Sequence, residues 1–162
     1  LTFAGKSFQF GAERDAEFER LVVRYPARES MILPALWLTQ EQEGWIPAEA
    51  IAYIADRIGT FASQVFEAAT FYTMYRQEPP GRYVLQVCTT LSCQLCGTST
   101  LVDHLKSKLG VDFGQTTPDG KYTLVDVQCL GACGEGPVVQ VNDDYHTNLT
   151  VDSLDRLLDG LE

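Results

Sequence analysis

Apolar residues recur at helical spacing through the first half of the chain. Phe18, Leu21 and Val22 fall on one face, and that run stops at Tyr25-Pro26. A second segment, from about Ser30 to Gln42, carries Met31, Ile32, Ala35, Leu36 and Leu38, with Pro34 fitting its first turn and Gly44 suiting its end. A third begins at Pro47, sets Ile51, Ile54, Ala55 and Ile58 on one stripe, and ends at Gly59. Ser63 is placed to cap a short fourth helix running toward Ala69. The run Thr70 to Tyr75 follows, and Pro79-Pro80-Gly81 breaks the chain. The first half therefore reads as a small helical bundle, residues 1–80.

From Gly81 the pattern is mixed. Tyr83 to Val87 reads as a strand with Cys88 at its end. The loop from Cys88 to Gly97 leads into a helix striped by Leu101, Val102, Leu105 and Leu109 and stopped by Gly110. Thr117-Pro118-Asp119-Gly120 signals a turn, and Lys121 to Gln128 makes a second strand. A third strand, Val138 to Val141, follows Pro137, and Asn142-Asp143-Asp144 turns the chain into a short paired strand. The last helix starts near Thr150, a good N-cap with Asp152 in the first turn. Strand, helix, strand, hairpin and helix describe a small α/β domain of thioredoxin-like type over residues 81–162. The whole chain is then α+β, with no internal repeats and no low-complexity stretch.

Composition narrows the partners. With 162 residues and 45% hydrophobic content, the chain can bury one compact domain or two small ones. A net charge of −10 argues against nucleic acid and anionic membrane surfaces, which need a basic face. No apolar run reaches bilayer length, and no basic-then-apolar leader is present. The first residue is Leu1 rather than Met, which leaves open the removal of an initiator segment or presequence. The five cysteines are an odd set clustered in the second half, which suits a reducing, intracellular compartment with thiols free for metals or redox work.

Two cysteine loops carry the chemistry, each after a predicted strand. One runs from Val87-Cys88 through Ser92-Cys93-Gln94-Leu95-Cys96-Gly97, and the other is Gln128-Cys129-Leu130-Gly131-Ala132-Cys133-Gly134-Glu135-Gly136-Pro137. Side-by-side strands would bring both loops to one end of the domain. Cys88, Cys93, Cys129 and Cys133 can then supply the four thiolates of a [2Fe–2S] cluster, while Gly131, Gly134 and Gly136 allow close backbone approach and N–H donation to sulfur. Alternatively, Cys88, Cys93 and Cys96 match the Cys-x4-Cys-x2-Cys run of plant-type ferredoxins, with Cys129 as the fourth ligand and Cys133 idle. A third reading takes Cys93-Gln94-Leu95-Cys96 as a thiol–disulfide exchange pair at a helix N-terminus, and a structural zinc on four sulfurs stands beside it. Ligand count and loop context favour the first, which leaves Cys96 as a small packed residue.

At these residues the chain resembles the thioredoxin-like [2Fe–2S] subunit of respiratory NADH:quinone oxidoreductase, the NuoE type. The resemblance runs from about Phe18 to the C-terminus. It rests on Gln42-Glu43-Gly44-Trp45-Ile46, on Ala69 to Tyr75, on both cysteine loops, and most specifically on Cys129 to Cys133 continuing to Pro137-Val138-Val139-Gln140-Val141-Asn142-Asp143. It implies ligands at Cys88, Cys93, Cys129 and Cys133, and a spare thiol at Cys96. Gly136 departs from the pattern, standing where alanine is expected. The resemblance further implies a subunit of an oxidoreductase with no substrate site of its own. Its partners would be a flavoprotein binding FMN and NADH and further iron–sulfur subunits, on the cytoplasmic or mitochondrial-matrix face of an inner-membrane complex. The helical half looks like a docking device, and NAD-linked hydrogenases and formate dehydrogenases reuse the same module. Adding an electron to an anionic cluster in an acidic chain predicts a low potential. No nucleotide-binding motif is present. His104, His146 and the scattered carboxylates read as surface or packing. Phe71, Tyr72 and Met74 are candidates for either the bundle interior or a partner surface.

Overall fold

The computed structural model describes residues 7–161; the start of the chain at Leu1 and the final Glu162 lie outside the described residues. The chain divides into two compact units, one running to Pro79 and the other from Pro80.

In the first unit, α1 (Ala12–Val22), α2 (Ile32–Glu43), α3 (Ala48–Ile58) and α4 (Ala62–Phe71) surround a core built from Phe18, Met31, Leu36, Ile54 and Val65. A 3₁₀ turn, Arg28–Met31, precedes α2, so the helix starts later than the apolar pattern predicts. Two buried polar residues sit among the apolar ones of α2 and both are satisfied. Thr39 donates its hydroxyl to Ala35 O, and Gln40 donates to Met74 O at 2.9 Å while accepting the Arg76 N–H at 2.7 Å. Gln40 thereby ties α2 to the segment after α4. Ser63 is not the cap of α4. The cap position falls two residues earlier, at Phe61, and the Gln64 side chain reaches back to the Phe61 N–H at 3.4 Å and to the Thr60 hydroxyl. Glutamine three residues into a helix satisfies an otherwise orphaned N-terminal donor.

The second unit is a five-stranded sheet: β1 (Tyr83–Cys88), β2 (Gln115–Thr116), β3 (Tyr122–Val127), β4 (Val139–Val141) and β5 (Asp144–His146), in the order β2-β3-β1-β4-β5. β1 and β3 are parallel, with Tyr83 opposite Tyr122 and Cys88 opposite Val127, and the other pairings are antiparallel. Parallel neighbours need a crossover, which α5 (Leu91–Leu95) and α6 (Thr98–Leu109) supply. α7 (Val151–Asp159) starts at Thr150, whose hydroxyl accepts the Ser153 N–H at 3.2 Å. α6 and α7 pack on each other, and their leucines Leu101, Leu105, Leu154 and Leu158 close a core with Leu85, Val87, Leu124 and Val139 of the sheet. The sequence pattern missed α5 and β2. Both are shorter than the two turns or four residues that a periodicity needs to register.

Candidate metal centre

The sheet positions the cysteines. Cys88 is the last residue of β1, and Cys129 lies two residues beyond the end of β3, the parallel strand beside it. Thr89 extends that pairing, its N–H and hydroxyl both reaching Val127 O at 2.9 and 3.1 Å. The short α5 then folds the first loop back and buries Cys93 completely, while Cys96 ends up exposed. The second loop bends at Gly131, whose φ of +79° suits glycine and aims its N–H at Cys129 Sγ, 3.3 Å away. Tyr145 braces the same loop from β5 by donating its hydroxyl to Leu130 O at 3.0 Å. At Gly136 the two loops close together. A Cβ there would stand 3.4 Å from both Cα and Sγ of Cys93, ordinary contact, so alanine fits this position as well as glycine.

Four cysteines share this end of the sheet. Cys129 and Cys133 Sγ are 3.7 Å apart. Two thiolates on one tetrahedral ion, with metal–sulfur bonds of about 2.3 Å, lie at about that separation. The thiols of Cys93, on the first loop, and Cys129, on the second, both act on the Cys88 thiol. Cys88 and Cys93 are buried with Val138, and Leu130 and Ala132 pack alongside; Cys129 and Cys133 are exposed. Burial pushes the Cys88 thiol up, but the N–H groups of Thr90 and Leu130 and the thiols of Cys93 and Cys129 outweigh it, leaving it below its ordinary value. Cys93 is pushed up to about 11, first by burial and then by its hydrogen bond to Cys88, against which the Val138 N–H pulls weakly. Cys133 is raised mainly by its contact with Cys129 and that group's charge, and the Ser92 hydroxyl works in the other direction. Like charges disfavour one another here, so a bound cation is what would let all four ionise. The donor set, four thiolates with N–H groups aimed at sulfur, fits a [2Fe–2S] core. Among the described residues no three His, Cys, Asp or Glu groups close on one point as a single ion requires.

The remaining sequence candidates lie apart from this chemistry. His104 Nε2 is 2.7 Å from Asp155 Oδ1, which Lys108 Nζ also reaches at 2.7 Å, so His104 is an α6–α7 surface contact. His146 ends β5. Phe71, Tyr72 and Met74 are exposed on the helical unit. Residue-by-residue reading missed the donors at Thr90, Leu130 and Val138, because backbone donors leave no trace in side-chain identity.

Comparison with known proteins bears on both units. Residues 18–162 match the model of the thioredoxin-like [2Fe–2S] ferredoxin family. An NADH-quinone oxidoreductase subunit of Rhizobium meliloti (strain 1021) is 48% identical over 144 residues, 89% of this chain and 86% of the relative. Another, from Thermus thermophilus, is 44% identical over 146 residues, 88% of this chain and 81% of the relative. Among solved structures, a chain of an NAD+-reducing [NiFe]-hydrogenase in the air-oxidised state has a TM-score of 0.71, covering 81% of this chain and 22% of that one. At 22% identity that likeness concerns the fold alone. The chain belongs to the thioredoxin-like [2Fe–2S] ferredoxin family, and within it to the group that these NADH-quinone oxidoreductase subunits represent.

Proposed function

We propose that this chain is the single-electron carrier of an NADH-quinone oxidoreductase, holding one [2Fe–2S] cluster on Cys88, Cys93, Cys129 and Cys133. The observation that carries the reading is the arrival of both cysteine loops at one end of the sheet, with Cys133 3.7 Å from Cys129 and the Cys93 and Cys129 thiols both acting on Cys88. A plant-type ligand set would need Cys96 in place of Cys133. Bound there, the cluster supplies a centre that takes and gives one electron at a time. The chain's own residues hold it, sheath half of it from water, and offer N–H groups to the sulfurs.

The electron partner in this reading is the FMN of an NADH-oxidising flavoprotein subunit; the relatives' names support the host, an NADH-quinone oxidoreductase. The helical unit serves as the docking device, with further iron–sulfur subunits beyond. No helix among the described residues is long and apolar enough to cross a membrane. The assigned place is the peripheral arm of an inner-membrane complex, on its cytoplasmic or matrix face. A low, negative midpoint potential follows from adding an electron to an anionic core in a chain of net charge −10.

Iron and acid-labile sulfide content, with EPR of the reduced protein, tests the ligand set on wild type, Cys96→Ala and Cys133→Ala. We expect two irons, two sulfides and a signal that survives loss of Cys96 but not of Cys133. Survival without Cys133 but not without Cys96 would assign the plant-type set. Zinc, or no metal with a titratable Cys93–Cys96 pair, would remove electron carriage altogether.

A further inference from the structure

β5, at the edge of the sheet, and the residues just after it tie down the second cysteine loop at both ends. Near the start of the loop the Tyr145 hydroxyl donates to Leu130 O at 3.0 Å, and near its end the Asn148 N–H reaches Glu135 O at 2.7 Å. Tyr145 stands opposite Gln140 of β4, and the turn joining those strands is fastened to β1. There Asn142 Oδ1 accepts the Val84 N–H at 2.9 Å, and the Asn142 N–H reaches Val84 O at 3.0 Å. The phenol is therefore presented from a held hairpin. Leu130 O belongs to the same planar peptide group as the Gly131 N–H, and that N–H donates to Cys129 Sγ at 3.3 Å. One peptide thus accepts from Tyr145 at its oxygen and donates to the Cys129 sulfur at its nitrogen.

We propose that the Tyr145 hydroxyl, acting through the Leu130–Gly131 peptide, strengthens the hydrogen bond to the Cys129 sulfur and so raises the reduction potential of the cluster. This rests on Cys129 being a ligand, as proposed above. A donor on the carbonyl draws electron density toward oxygen and leaves the N–H more positive, and hydrogen bonds in series reinforce one another by roughly 10–30%. The same bond holds the peptide plane in the orientation that aims its N–H at sulfur. Reduction adds negative charge to the core, and hydrogen bonds to charged acceptors are the stronger ones. A better donor to a ligand sulfur therefore favours the reduced form. Tyr145 acts through a peptide rather than on iron or its ligands, so it is a positioning residue. Tyr145 and Gly131 are exposed and Leu130 is half-buried, so water can take over part of the carbonyl's bond once the phenol is gone. The expected shift is accordingly modest.

The test is redox titration, followed by EPR, of the cluster-loaded full chain in three forms. These are wild type, Tyr145→Phe, and a chain with 3-fluorotyrosine in place of Tyr145, a more acidic phenol and stronger donor of nearly the same shape. Titration at about pH 6 keeps well below the range in which phenols ionise. Tyr145→Phe should keep two irons and two sulfides and raise the oxidised-to-reduced ratio about threefold at fixed potential, a midpoint about 28 mV lower for one electron. The 3-fluorotyrosine form should shift the other way. With ¹⁵N-labelled glycine, the glycine nitrogen coupling to the reduced cluster should weaken in Tyr145→Phe. Tyr122→Phe deletes another phenol–carbonyl bond of 3.0 Å, to Leu158 O, at the end of β3 away from the cysteines, and should leave the midpoint unchanged. Intact clusters with equal midpoints in all three forms would overturn the proposal while leaving the ligand set standing. A lower midpoint in Tyr145→Phe without a rise in the 3-fluorotyrosine form would overturn it in favour of bracing alone. Should Tyr145→Phe fail to load, the 3-fluorotyrosine form decides: a raised midpoint supports the proposal and an unchanged one overturns it. A wild type without iron, or a Cys129→Ala that keeps its cluster, would instead sink the ligand set.

Discussion

One chemical change, glycine to alanine, should have opposite signs at two positions of the second unit. A Cβ at Gly81 would stand 2.9 Å from the Tyr122 carbonyl carbon and 3.0 Å from Gly120 O and Tyr122 N, all backbone. Carbon pairs prefer about 3.5–4.0 Å, so the start of β1 must move away from β3 by roughly half an ångström or more. Two hydrogen bonds cross that gap, Gly81 N–H to Thr123 Oγ1 at 2.6 Å and Arg82 N–H to Gly120 O at 3.0 Å. Overpacking costs about 1–3 kcal/mol, and weakening those bonds adds about 1 kcal/mol. Reduced freedom of the unfolded chain returns about 0.4–1 kcal/mol, for a net loss of about 2 kcal/mol. Gly136 differs because its backbone, at φ −67° and ψ 155°, is the extended form favoured before proline. There the added methyl meets Cys93 and Cys96 at 3.4–3.5 Å without collision, so a gain of about 0.5–1 kcal/mol is expected. Both tryptophans, Trp37 and Trp45, lie in the first unit, so their fluorescence does not report this change. Native-state amide exchange at Leu85 and Leu124 does, and Gly81→Ala should speed it about thirtyfold while Gly136→Ala slows it. Equal signs at the two positions, or no change at Gly81, would refute the steric reasoning.

Two further expectations concern the helical unit, where tryptophan fluorescence is the probe. Arg57 reaches Asp15 Oδ1, Glu19 Oε1 and the Tyr53 hydroxyl, each at 2.6 Å, and stacks 4.6 Å above the Phe18 ring. Arg57→Met should lower the stability of this unit by about 1–2.5 kcal/mol, since partly exposed ion pairs and cation–π contacts, here with Phe18 and Tyr53, are each worth about 0.2–1 kcal/mol. The difference should shrink in high salt, and a salt-independent loss would mean packing rather than charge. The Tyr75 phenol is raised to about 12 by burial and by Tyr72, and it donates to Leu33 O at 2.8 Å. Its folded pKa lies above the unfolded value, so its contribution is full below pH 10 and is lost as the pH climbs toward 12. That alkaline slope in urea midpoints should vanish in Tyr75→Phe; a persistent slope would assign it to another group.

Much of the fold was legible because its signals are local. Stripes such as Ile51, Ile54, Ala55 and Ile58, or Leu101 and Leu105, mark helix faces that do become core. Gly44, Gly59 and Gly110 stop helices in the left-handed conformation. Illegible features were local competitions between caps and contacts settled between distant segments. The first turn of α4 is held by Gln64 rather than Ser63, because a side chain reaching back three residues competes with a cap that composition alone suggests. Cysteine spacing is the sharper case. Cys88, Cys93 and Cys96 satisfy one ligand pattern and Cys93 with Cys96 another, so the one-dimensional code is degenerate. Parallel pairing of β1 with β3 brings the two loops to one sheet end. The five-residue α5, invisible to periodicity, buries Cys93 and leaves Cys96 exposed. A one-turn helix thus sets which of these two thiols is buried. Its sequence would tolerate much change, provided that turn still faces Cys93 inward and meets the backbone at Gly136.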